Sequence, residues 1–197
     1  MSTADETPAE PAVAPVPGEA SEADPGQIAL MAALLELERH VRDAGWDQPP
    51  RLFALVLTDE LVASEPELAT SLGLLSSADG GPEHGLTAIE QDEFASGGDL
   101  LDDLAAMEWP ETVFGCAVSL ERTFLPPSAE ADIPDDPREA AAFVAEHPQR
   151  QDVRVLVGVD RAGHTHGLAR LVSQPDELLA ADDLVPGLTT ALAHTLT

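Results

Sequence analysis

Lysine, asparagine and tyrosine are absent from this sequence, and isoleucine occurs three times. Its nine cationic side chains are therefore all arginines, set against 37 carboxylates, for a net charge of −28. So acidic a chain excludes a phosphate-tracking groove and electrostatic docking on anionic lipid, since both need clustered cations. No nucleic acid partner is expected. Cys116 is the single cysteine, which excludes an internal disulfide. No run approaches the roughly 18 apolar residues of a membrane span, and no basic segment leads into an apolar stretch at the start. The expectation is a cytoplasmic protein with no direct membrane insertion.

What is present is enough apolar residue, 44% of the chain, to build a real core. Residues 1–26 are acidic and rich in Pro and Ala, cannot offset their own chain entropy by burial, and read as a disordered tail. Residues 27–197 read as a single α+β domain. Ile28, Met31, Leu34, Leu37 and Val41 recur at helical spacing, with Glu38 falling inside the same stripe. Gly45 is placed to end that helix with a positive φ. Pro49 and Pro50 block continuation, and Arg51 to Leu57 reads as a buried strand. Short helices follow at Thr58–Leu61, capped by Thr58 or Asp59, and from Pro66, with Leu68, Leu72 and Leu75 inward.

Leu86 to Glu90 reads as a short strand, Asp99 to Met107 as a helix with Leu100, Leu101 and Leu104 on one face, and Thr112 to Leu125 as a long strand. Pro137 opens a further helix. Val153, Val155, Val157 and Val159 share one face of a strand that turns at Arg161-Ala162-Gly163 into a second, His164 to Ser173. Asp182 or Asp183 is the expected cap of a last helix carrying Leu184, Leu188, Leu192 and Leu196. Adjacent strands joined by hairpins predict a mainly antiparallel sheet of about five strands with helices packed on one side. This order resembles the type III secretion chaperone-like fold, a likeness of architecture from which no function follows.

Two short signatures hold both tryptophans and the cysteine. They are Gly45-Trp46-Asp47-Gln48-Pro49-Pro50-Arg51-Leu52-Phe53-Ala54-Leu55-Val56 and Trp109-Pro110-Glu111-Thr112-Val113-Phe114-Gly115-Cys116-Ala117. Over residues 27–197 the chain is similar to an uncharacterised actinobacterial protein family, a resemblance that implies no activity. The missing residues are those of A/T-rich codons, while Ala, Gly, Pro, Arg and Asp are abundant, which fits a high-G+C genome.

Neither signature holds a nucleophile, a metal cage or a phosphate loop, so no catalytic residue and no cofactor is expected. His164 and His166 sit two apart in a strand and share one face, the weak candidates for a metal; the alternative is the solvent-facing edge of a hairpin. Cys116, flanked by Gly115 and Ala117, reads as a small buried hydrophobe. Trp46, Arg51 and Trp109 are the interaction candidates. Against that, each tryptophan is a helix–strand packing anchor, and Arg51 an ion pair with Asp47 or an acidic helix.

Three functions compete. A non-catalytic, acidic protein-binding module, an adaptor or chaperone-like homodimer, is expected to show an exposed apolar groove rimmed by carboxylates and to take a basic partner. A small-molecule or anionic-ligand binder, or an enzyme, needs a deep pocket where Arg51, Arg122, Arg154 and a histidine converge. Metal binding at His164 and His166 is the third. The first fits the sequence best, and catalysis is not the expectation.

Overall fold

The computed structural model describes residues 24–94, 98–130 and 132–197, so the greater part of the N-terminal tail lies outside the described residues. The elements are α1 (Pro25–Asp43), β1 (Arg51–Leu57), α2 (Thr58–Ser64), α3 (Pro66–Leu72), β2 (Leu86–Glu90), α4 (Leu100–Ala105), β3 (Gly115–Phe124), α5 (Pro127–Glu130), α6 (Pro137–Glu146), β4 (Gln151–Asp160), β5 (Thr165–Leu171), β6 (Gln174–Ala181) and α7 (Pro186–Thr195). α1 starts two residues before the expected domain boundary, where Asp24 accepts from the Gly26 N–H and Pro25 takes the first helical position.

The fold is α+β, with an antiparallel sheet in the order β2-β1-β3-β4-β5-β6. It has six strands, in keeping with the expected sheet of about five. The additional one, β6, holds Pro175, Asp176 and Glu177 and is largely exposed, so it shows no apolar alternation.

Helices cover both faces of the sheet, and the expectation of one covered side is corrected. The reason lies in β1, β3 and β4, whose apolar runs leave neither face fit for water. On one face Leu52, Cys116, Val118, Val155, Val157 and Val159 pack under Leu100 and Leu104 of α4 and Leu188, Leu192 and Leu196 at α7. On the other, Phe53, Leu55, Ala117, Leu156 and Leu168 pack under Leu30, Leu34, Leu37 and Val41 of α1. At Gly158 the helix comes so near that an added Cβ would stand 2.7 Å from a Leu34 methyl. Fully burying each such leucine contributes about 1.5–3 kcal/mol.

Some local expectations also give way. Gly45 does follow α1 with φ +86°. α2 has no side-chain cap, because the Thr58 hydroxyl bonds Thr87 and the Asp59 carboxylate holds Ser77. α7 has none either; Asp182 is drawn to Gln27 and His166, and Pro186 starts the helix. Leu101 is 48% exposed while Leu100 and Leu104 are buried. Among the described residues, no helix is long and apolar enough to cross a membrane.

Candidate functional site

The three arginines expected to converge lie apart. Arg51, at the start of β1, forms a bidentate pair with Glu90 of β2, both contacts at 2.5 Å, and lies 5.5 Å from the centre of the Phe53 ring. Its partner is thus Glu90, not Asp47 or an acidic helix. His40 of α1 joins through Nε2, 2.9 Å from Arg51 Nη2. Hydrogen bonds from Arg51 hold the Glu90 carboxyl below its ordinary range, and the same pair raises Arg51.

Arg154 of β4 lies under α1, directly opposite Glu121 on the neighbouring strand β3. It donates to Glu121 Oε1 from Nη2 at 2.6 Å and Nε at 3.1 Å, and to the carbonyl of Gly45. Trp46 closes over it, ring centre 4.4 Å from the guanidinium carbon. The Asp47 N–H, held by a positive φ, donates to Glu121 Oε2 at 2.8 Å. So the first signature is a half-buried lid on an ion pair, with Trp46 stacked on a cation.

Arg170 of β5 stands in register with Arg154, and Glu38 of α1 accepts from its Nε at 2.6 Å. These two residues were not singled out from sequence; the carboxylate of Glu38 inside the apolar stripe of α1 was the available signal. Arg154 and Arg170 do converge, but the space between them is about 10 Å³. That is room for about one water and not for a ligand. Arg122 faces the opposite side, in a cleft of about 400 Å³ lined by Leu100, Leu101, Leu120, Val155, Val185 and Leu188, with Asp99 near.

Trp109 packs against the core beneath α7. Its backbone N–H donates to Thr195 O at 2.9 Å, and the indole N–H is buried without a hydrogen-bond partner among the described residues. Arg161, which the sequence marks only as part of a turn, holds this corner by donating to the carbonyls of Val113, Trp109, Pro110 and Leu196. Cys116 is fully buried beside Thr195, and burial pushes its thiol up to about 11. Such a thiol carries almost no thiolate at neutral pH.

The two histidines are engaged separately. His164 Nδ1 is 2.7 Å from Asp160 Oδ2, and Nε2 is 3.3 Å from Asp24 Oδ1. The Asp160 hydrogen bond leads in raising the His164 pKa. His166 Nδ1 is 3.2 Å from Asp182, and Nε2 is buried with no partner. His166 is 6% exposed, so the solvent-facing hairpin edge is corrected as well. Among the described residues, no group of three His, Cys, Asp or Glu side chains is arranged to hold a metal ion.

A groove of about 740 Å³ lies between α1, the end of α3 and β2. Buried Ala33, Leu37 and Phe53 lie at its base, Leu72, Leu74 and Leu75 form one wall, and Leu86 and Ala88 the other. Glu36, His40 and Glu90 stand along it. Leu72 and Leu75 are 57% and 56% exposed and Leu68 is 45% exposed, correcting the expectation that all three point inward. α3 has seven residues and buries only Ala69, so Leu68 and Leu72 stay about half exposed. Sequence spacing marks the row as apolar but says nothing of whether anything covers it.

Comparison with curated proteins and with solved structures yields no match. A family model of uncharacterised proteins matches most of the chain. The protein belongs to the PPA1309-like protein family, over residues 30–197.

Proposed function

We propose that this protein is a non-catalytic, acidic protein-binding module, an adaptor or chaperone-like factor, that works in the cytoplasm of an actinobacterium. One observation carries the reading. Exposed Leu72 and Leu75 line a groove bordered by the carboxylates of Glu36 and Glu90, on a chain of net charge −28. Clustered exposed leucines beside a concavity mark surfaces that other proteins cover. The surrounding negative field speeds encounter with a basic partner.

The test is affinity capture with the full chain against a Leu72→Asp/Leu75→Asp variant of unchanged circular dichroism. A stoichiometric partner held by the wild type and released by the variant supports the reading; a partner held equally by both refutes it. Sedimentation of the purified chain tests the homodimer separately.

A second reading, a small-molecule or anionic-ligand site, is favoured by the Arg122 cleft, whose apolar walls end at a cation. Medium-chain carboxylates should then raise the melting temperature of the wild type and not of Arg122→Gln.

A further inference from the structure

We infer that the free edge of β2 is the docking line of this groove, where an extended, basic segment of a partner protein adds to the sheet as a further strand. The inference rests on the protein-binding reading and specifies its mode.

Among the described residues, β2 pairs with β1 on one side alone. The Thr58 N–H donates to Gly85 O and the Gln91 N–H to Leu52 O, which sets the parity of the ladder. Residues 85, 87, 89 and 91 face β1, and the N–H and C=O of Leu86, Ala88 and Glu90 face outward. The groove begins at those same residues, beside Leu72 and Leu75. A strand laid along the edge would therefore send every second side chain into the groove.

The two edges of the sheet differ in their defences. β6 has Pro175, Asp176 and Glu177, and its register with β5 shifts between Ala169 and Leu171. Those are the devices that keep an edge from recruiting another chain. β2 has no proline, no glycine and no register shift, and Ile89 is 39% exposed.

Charge selects the occupant. Glu83 precedes the strand, and Asp92 and Glu93 follow Glu90. A second copy pairing edge to edge would set these carboxylates against their equivalents within an overall −28 field. A segment with alternating apolar residues between Arg or Lys ends meets no such penalty.

The probe is a capped, fluorescein-labelled peptide of sequence Arg-Lys-Val-Thr-Val-Thr-Val-Arg, titrated into the full chain with fluorescence anisotropy as readout. In the wild type it should bind, more weakly as salt rises, and slow amide exchange at Leu86, Ala88 and Glu90. Ala88→Pro removes an outward N–H and leaves the β1–β2 ladder whole, so binding should weaken by about tenfold or more. Should that variant fail to fold, amide protection in the wild type decides the matter. No binding, unchanged exchange at the three amides, or equal binding by Ala88→Pro each overturns strand addition. If Ala88→Pro binds like the wild type while Leu72→Asp/Leu75→Asp does not, the groove reading survives without it. If neither variant changes binding, the groove reading falls too.

Discussion

Replacing Arg154 by methionine removes a buried charge while keeping an apolar stem of similar length. Arg154 is 3% exposed and Glu121 18% exposed, and after the substitution Glu121 keeps only the Asp47 N–H. Removing one member of a buried pair costs about 3–5 kcal/mol, because the other is left desolvated and uncompensated. Losing the stack of Trp46 on the cation adds about 1 kcal/mol. The residual exposure of Glu121 lets water relieve part of this, so the expected loss is about 3 kcal/mol. At about 2–4 °C per kcal/mol for a chain of this size, the melting temperature should fall by about 6–12 °C. Arg154→Met/Glu121→Leu removes both charges and should lie within about 1 kcal/mol of the wild type. Urea unfolding followed by circular dichroism gives the free energies, and tryptophan emission reports whether the Trp46 lid has opened. A single variant within about 1 kcal/mol of the wild type, or a double variant no better than the single, would refute the reasoning.

Arg161→Ala releases four carbonyls from one guanidinium and should cost about 2–3 kcal/mol, with faster amide exchange appearing first in α7; uniform exchange across the sheet would argue against a corner clamp. His164, raised by Asp160 and then Asp24, contributes stability that is fully present below about pH 6.5 and is lost as pH rises through its elevated pKa. Melting curves across neutral pH should therefore show the gap between wild type and His164→Gln closing as the solution becomes alkaline; a gap that widens would reverse the assignment. Cys116 should be silent to a thiol-specific disulfide reagent in the native state and react at the rate of unfolding. Prompt labelling at neutral pH would show that the strand is not closed.

Periodic segments were the legible part of this chain. The α1 stripe and the valines of β4 set their elements because each repeat fits one geometry and buries one face. β6 was hidden because an edge strand is held by its neighbour's unpaired backbone, and Pro175, Asp176 and Glu177 erase any pattern of its own. Coverage of both faces was written in the unbroken apolar runs of β1, β3 and β4, though an expected order of elements does not say where helices land. The candidate groove is half legible: spacing marks its leucines as an apolar row, while their exposure follows only from where α3 sits in the fold. Arg161 and Arg170 could not be placed, since their partners lie at positions 113 and 38, joined to them only by tertiary structure.

Because α1 precedes every strand and α7 follows every strand, the two faces of the sheet close at different times during synthesis. The helix that covers Phe53, Leu156 and Leu168 is made before any strand of the sheet, whereas Leu188, Leu192 and Leu196, which cover Val118 and Val157, are made after all of them. The nascent protein therefore carries a bare strip of valine and leucine until α7 has been made. During that interval it is itself a client for any factor that shields apolar surface.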